Sequence, residues 1–156
     1  MASVRATGSS PIRVAAQVIF HECRRCTACC RWPGQIRLTG DEIRRLAAFE
    51  ALSEFDFIQR YTRLGQDRRC LVLQDKSNGE CIFLEGNDCS VQPVKPQQCR
   101  DFPNLWNFPD FEKICRAVPQ MVDDEEYKRL VMAATGKLLD SPRLDPSGSV
   151  AKVDPQ

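Results

Sequence analysis

Residues 23 to 30 read Cys23-Arg24-Arg25-Cys26-Thr27-Ala28-Cys29-Cys30, a CxxCxxCC run that places four thiols within eight residues. Two residues between successive cysteines let a tight loop turn both sulfurs toward one ion at the ~2.3 Å Zn–S distance, or toward neighbouring irons of a cluster. Redox thiols and a disulfide pattern are the alternative readings of the same spacing. The adjacent pair Cys29 and Cys30 adds a constraint, because neighbouring side chains diverge in extended backbone and rarely serve one tetrahedral ion together. One of the two is therefore expected to reach a second metal, to bridge two metals, or to act as a redox thiol. The run also departs from the bacterial ferredoxin pattern, since its fourth cysteine follows at once and no proline comes after it.

A second group, Cys81, Cys89, Cys99 and Cys115, has seven, nine and fifteen residues between successive members, as suits a site assembled by the fold. The ninth cysteine, Cys70, begins a β-prone run and alternates with Val72, which reads as a buried apolar thiol rather than a ligand. An odd count leaves at least one thiol unpaired in any disulfide framework. Residues 1–20 carry no signal-peptide pattern and no window approaches a membrane span, so the sequence predicts a cytoplasmic protein whose thiols stay reduced. With 22 basic against 21 acidic residues among 156, the net charge of +1 argues against nucleic acid as a partner. The partner implied is a metal ion; no protein partner can be read.

A structural zinc contributes roughly 10–16 kcal/mol in small peptides, comparable to the roughly 5–15 kcal/mol stability of a whole domain. Arg24, Arg25, Arg31 and Arg100 lie beside cysteines in sequence and would offset thiolate charge. Trp32, Trp106, Phe108 and Phe111 flank cysteines and would shield a metal, although core packing explains them equally. The single histidine, His21, reads as a capping or packed side chain. No GxGxxG, GxxxxGK[ST], GxSxG or HExxH motif is present, and the spacing after His21 does not fit a zinc deaminase.

Val18-Ile19-Phe20 predicts a strand leading into a cysteine segment that should be loop. Thr39 with Glu42 forms a capping box for a helix over 41–51, and Ser53 caps a second that presents Phe57, Ile58 and Tyr61 and ends near Gly65. Residues 70–73 and 80–84 predict a hairpin closed through Asn78-Gly79. Pro93, Pro96, Pro103 and Pro109 forbid long regular elements there. Asp123 caps a last helix with Tyr127, Leu130, Val131, Ala134 and Leu138 on one face.

The CxxCxxCC run, then Cys81-Ile82-Phe83-Leu84, Cys89, and Cys99-Arg100-Asp101-Phe102-Pro103 together resemble the YkgJ-like cysteine-cluster family, described as chelating zinc or iron. The resemblance covers about residues 20 to 118 and implies Cys23, Cys26, Cys29, Cys30, Cys81, Cys89 and Cys99 as metal ligands, with Cys115 as an eighth. Thr27 stands where the family often has Gly, so the turn there is made without glycine's freedom in φ. Val91-Gln92 and Lys95-Pro96 replace the family's usual Ile-Tyr and Arg-Pro.

The expected molecule is α+β, mostly short helices with a small β-hairpin: an irregular, metal-stabilised, cysteine-rich domain over 14–139 between tails 1–13 and 140–156. Its function is metal binding, with iron as an iron–sulfur cluster and zinc as the alternative. An iron–sulfur-dependent enzyme is the second reading, either an oxidoreductase or, through longer relatives, a lysine N-methylase-like transferase; no catalytic residue is assigned.

Overall fold

A computed structural model describes residues 16–140, so the predicted tail 1–13, residues 14–15 of the predicted domain, and the predicted tail 140–156 apart from residue 140 lie outside the described residues. In chain order the elements are β1 (Val18–Glu22), α1 (Ala28–Arg31), β2 (Arg37–Leu38), α2 (Gly40–Phe49), α3 (Glu54–Tyr61), β3 (Thr62–Leu64), β4 (Leu71–Leu73), β5 (Leu84–Glu85), β6 (Asp88–Cys89), α4 (Gln97–Asp101), β7 (Val118–Val122) and α5 (Asp124–Thr135). Single 3-10 turns occupy Gln92–Val94 and Phe111–Lys113. This is a small α+β fold of short helices and three small antiparallel sheets.

The capping box of α2 forms in full: Thr39 accepts from the Glu42 N–H at 3.2 Å, and the Glu42 carboxylate accepts from the Thr39 N–H at 2.7 Å. Ser53 caps α3 through the Asp56 N–H at 3.0 Å. The inner faces of this helical pair bury Ile43, Leu46, Ala47 and Phe57, which pack with Leu38, Leu73, Phe83 and Val91 into the larger apolar cluster. A smaller cluster joins Val18 and Phe20 of β1 to Tyr127 and Val131 of α5. Asn104 stitches the two terminal elements together by donating to the His21 carbonyl at 2.9 Å, accepting from the His21 N–H at 2.8 Å, and taking the Tyr127 hydroxyl on its carbonyl at 3.3 Å.

Three expectations are corrected. The cysteine segment is not all loop, because Ala28–Arg31 closes one helical turn. The predicted hairpin between 70–73 and 80–84 does not form. Instead β4 is the centre of a sheet ordered β2-β4-β3, and only an isolated bridge from Asp75 to Cys81 links the two runs. Asn78-Gly79 still makes its turn, with Gly79 at φ 85°. The small hairpin lies later, β5 with β6, around the two-residue turn Gly86-Asn87; Gly86 at φ 60° supplies the positive φ that such a turn demands at its first position. Finally, the C-terminal helix ends at Gly136, so Leu138 is 83% exposed and Thr135, 1% exposed, completes the buried face.

Candidate metal centre

Four separate segments deliver thiols to one place. The loop and turn after β1 bring Cys23, Cys26, Cys29 and Cys30; the β5–β6 hairpin and the residues before it bring Cys81 and Cys89; α4 brings Cys99; and the segment before β7 brings Cys115. All eight line a single cavity of about 60 Å³, with Leu73, Phe83, Val91 and Phe102 among its apolar walls. Cys70, the ninth, sits at the β3–β4 turn with its sulfur 3.9 Å from the Asp67 carboxylate and takes no part. All nine are free thiols, with Cys23 and Cys29 exposed and the rest half-buried.

Local backbone explains the delivery. Arg25 and Thr27 both adopt left-handed φ, 53° and 63°, so each CxxC step turns sharply. The Thr27 conformation is the one the missing glycine would have made free; here a buried β-branched residue holds it, with its hydroxyl donating to the Cys26 carbonyl at 2.7 Å. From that turn α1 begins, and the Cys30 N–H bonds back to the Thr27 carbonyl at 3.0 Å. Residues adjacent in a helix lie about 100° apart rather than on opposite sides as in a strand, so Cys29 and Cys30 reach the same cavity despite their adjacency. The Cys30 carbonyl then accepts the Cys81 N–H at 2.8 Å, a main-chain tie between the two cysteine groups.

Two arginines clamp the same groups from outside. Arg25 pairs with Asp88, the residue before Cys89, and Arg31 pairs with Glu80, the residue before Cys81. Arg31 also donates to the Gly86 carbonyl at 3.0 Å and to Asn87 at 3.3 Å. Arg24 pairs with Glu22 at 3.2 Å, and Arg100 donates to the Lys95 and Pro93 carbonyls. The bonds of these arginines go to carboxylates and carbonyls, which position the loops, while Arg25 also lines the thiol cavity. The cavity's further basic residue is Lys95.

The electrostatics are those of thiols gathered in a mostly apolar pocket, with Lys95 as the cation that acts on them. Burial pushes Cys81, Cys89 and Cys99 up from the ordinary thiol value, with Lys95 opposing the shift at Cys89 and Cys99. Burial likewise takes Cys115 to about 11, with the Cys26 thiol adding to it. Cys30 donates its S–H to Cys29; accepting that bond brings Cys29 down to about 7 and holds Cys30 well above its usual value. Two main-chain N–H groups already point at sulfur, Arg25 to Cys23 and Arg116 to Cys26, each at 3.4 Å.

This donor set fits a soft or borderline metal: sulfur ligands, apolar walls, N–H donors onto sulfur, and a nearby ammonium to offset negative charge. Among the described residues no three His, Cys, Asp or Glu side chains stand at one ready coordination point. The sulfurs line the cavity without converging on one point within it. His21 lies outside the cavity, its ring edge-on to Phe111 at 5.2 Å and its pKa lowered by burial. Trp32 and Phe108 stack at 4.2 Å beside the cysteines, and Phe102 lines the cavity itself.

Sequence reasoning missed three features: Lys95 as a cavity cation, the Arg25–Asp88 and Arg31–Glu80 clamps, and a second task for Glu42. The buried Glu42 carboxylate, besides its capping role, accepts the Gln97 N–H at 2.7 Å and so fixes the start of the helix carrying Cys99. The clamps had a signal, since each cysteine of the hairpin is preceded by an acidic residue and each arginine lies next to a cysteine of the first group.

A small α+β scaffold with eight free thiols around one cavity has the donor set of a thiolate metal-chelating domain. Residues 22–130 match the CxxCxxCC family, described as "Putative zinc- or iron-chelating domain", and the chain belongs to that family. No solved structure gives a significant match to it. No helix among the described residues is long and apolar enough to cross a membrane.

Proposed function

We propose that Cys23, Cys26, Cys29, Cys30, Cys81, Cys89, Cys99 and Cys115 hold iron as an iron–sulfur cluster, zinc being the alternative occupant, and that this metal centre is the working part of the protein. The observation that carries the reading is the gathering of eight of nine cysteines, from four segments, around one cavity. Eight sulfurs exceed the four that one tetrahedral ion takes, which favours a polynuclear centre. A reducing compartment such as the cytoplasm suits nine free thiols.

The test is iron, zinc and acid-labile sulfide per chain, with a visible spectrum, on protein purified without oxygen. Iron with matching sulfide and a brown chromophore supports the cluster, and makes an oxidoreductase the enzyme class to assay. Zinc without sulfide, in a colourless protein that unfolds on chelation, replaces the cluster with a structural or metal-handling centre. Protein that folds with no metal overturns both.

A further inference from the structure

The thiol-lined cavity shares a wall with a second hollow of about 70 Å³, whose lining contains Cys29, Cys30, Cys81, Cys99, Leu73 and Phe102 in common with it. Beyond that wall the second hollow is aromatic: Trp32 stacks on Phe108 at 4.2 Å and 8°, Phe108 stacks on Phe102 at 5.5 Å and 16°, and Trp106 tilts against Phe102 at 5.0 Å. Apart from the thiols, most of its polar lining groups are already engaged. Asp75 pairs with Arg63 at 2.8 Å, and Gln98 donates to the Gln35 carbonyl at 3.0 Å and accepts from the Arg37 N–H at 3.0 Å. The side-chain oxygen of Gln35 takes the Gln66 N–H at 2.9 Å, and the Trp106 N–H goes to the Gln98 carbonyl at 2.7 Å.

We infer that this aromatic hollow is a binding site for a small uncharged molecule of a few heavy atoms, of the dioxygen or nitric oxide type, held against the thiol wall. A cavity walled mainly by aromatic and aliphatic side chains, with thiols as weak hydrogen-bonding groups, leaves water poorly bound and favours an apolar guest, whereas an ion would lose its hydration without full replacement. The size agrees, being smaller than the ~150 Å³ apolar cavity that accepts benzene. Placement at the wall of Cys29, Cys30, Cys81 and Cys99 brings the guest beside the centre proposed above. Only that consequence rests on the metal reading; the hollow itself does not.

Xenon is the probe, because it reports apolar cavities without chemistry of its own. Both tryptophans of the chain line the hollow, so their fluorescence is a local reporter. In metal-loaded protein, xenon pressure should give a saturable 129Xe shift and a matching tryptophan quench, while iodide should leave Trp106 unquenched in Trp32→Phe. Ile36→Phe, which fills the hollow, should weaken xenon binding at least tenfold at unchanged metal content. Should that variant fail to fold, Trp32→Ala removes a side chain that is 45% exposed and opens the hollow to water, with the same tenfold loss expected. A non-saturable xenon response, or one equal in wild type and in whichever variant folds, overturns the site. Metal content measured on the same samples separates the two ideas: saturable xenon in protein that binds no metal keeps the hollow and sinks the metal centre, and full metal without saturable xenon does the reverse.

Discussion

Thr27 shows how one residue sets the geometry of the first cysteine group. A left-handed backbone costs a non-glycine residue roughly 1–2 kcal/mol, and a β-branched one is a rare occupant. Thr27 accepts that cost at φ 63° and offsets part of it with the hydroxyl bond to the Cys26 carbonyl. Thr27→Val keeps the branch and loses the bond, whereas Thr27→Gly loses both bond and strain. In urea unfolding of the metal-loaded protein, Thr27→Gly should therefore remain more stable than Thr27→Val by about 1 kcal/mol or more. Next to it, the Cys30 S–H donated to Cys29 makes Cys29 the easiest thiol of the pair to ionise. In metal-free protein, iodoacetamide should label Cys29 with a midpoint near pH 7, and Cys30 far more slowly, as read by peptide mass spectrometry. Equal labelling of the two would remove the hydrogen-bonded pair from the account.

At the scale of elements, the site depends on short pieces held by specific ties rather than by length. The α1 turn has four residues and no buried side chain, so it cannot hold its place by packing. Arg31 holds it against the hairpin through Glu80, the Gly86 carbonyl and Asn87. Each such exposed ion pair is worth only about 0.2–1 kcal/mol to stability, but a guanidinium fork bonded to three groups fixes position as well. Arg31→Ala should cost about 1 kcal/mol in unfolding yet speed metal loss to a chelator several-fold, and Arg31→Lys should not restore the rate. Glu42→Ala removes two main-chain acceptor bonds at a buried site and should cost about 2 kcal/mol.

Much of this level was legible in the chain. The caps of α2, α3 and α5 follow from Thr39, Ser53 and Asp123, because a cap is a local interaction over three residues. Strand partners were not legible. The run 70–73 finds β2 and β3 rather than 80–84, and β1 pairs with β7 across nearly 100 residues, from Val18↔Val122 to Glu22↔Val118. Strands of two or three residues carry too little alternation to specify a register, so packing against the helical pair decides it. The cysteines were legible as a set, by type and spacing. Their meeting in one cavity was not, because it depends on Glu42, Arg25 and Arg31 holding three separate segments in place.

The whole molecule couples folding, protonation and metal. The buried thiols have raised folded pKa values, so their protonated forms stabilise the metal-free fold. That contribution is full below the unfolded value near 9 and is lost as pH rises through the folded value, about 11 for Cys115. Cys29 runs the other way, contributing above 9 and losing its contribution as pH falls through about 7. Metal-free protein should accordingly lose thermal stability between about pH 9 and 11, while metal-loaded protein, whose thiolates are already deprotonated, should not. With Cys81, Cys89, Cys99 and Cys115 as the proposed ligands, loading near neutral pH should expel their protons, so metal affinity should rise with pH, and an indicator dye should register acid release on metal addition. Whether the cavity thiols hold the metal is tested most directly by X-ray absorption at the metal edge. The expected shell is sulfur alone at ~2.3 Å for zinc, or the corresponding all-sulfur shell for iron, with a metal–metal vector and no change in Cys70→Ser. A first shell dominated by nitrogen or oxygen, or one altered by Cys70→Ser, would contradict it.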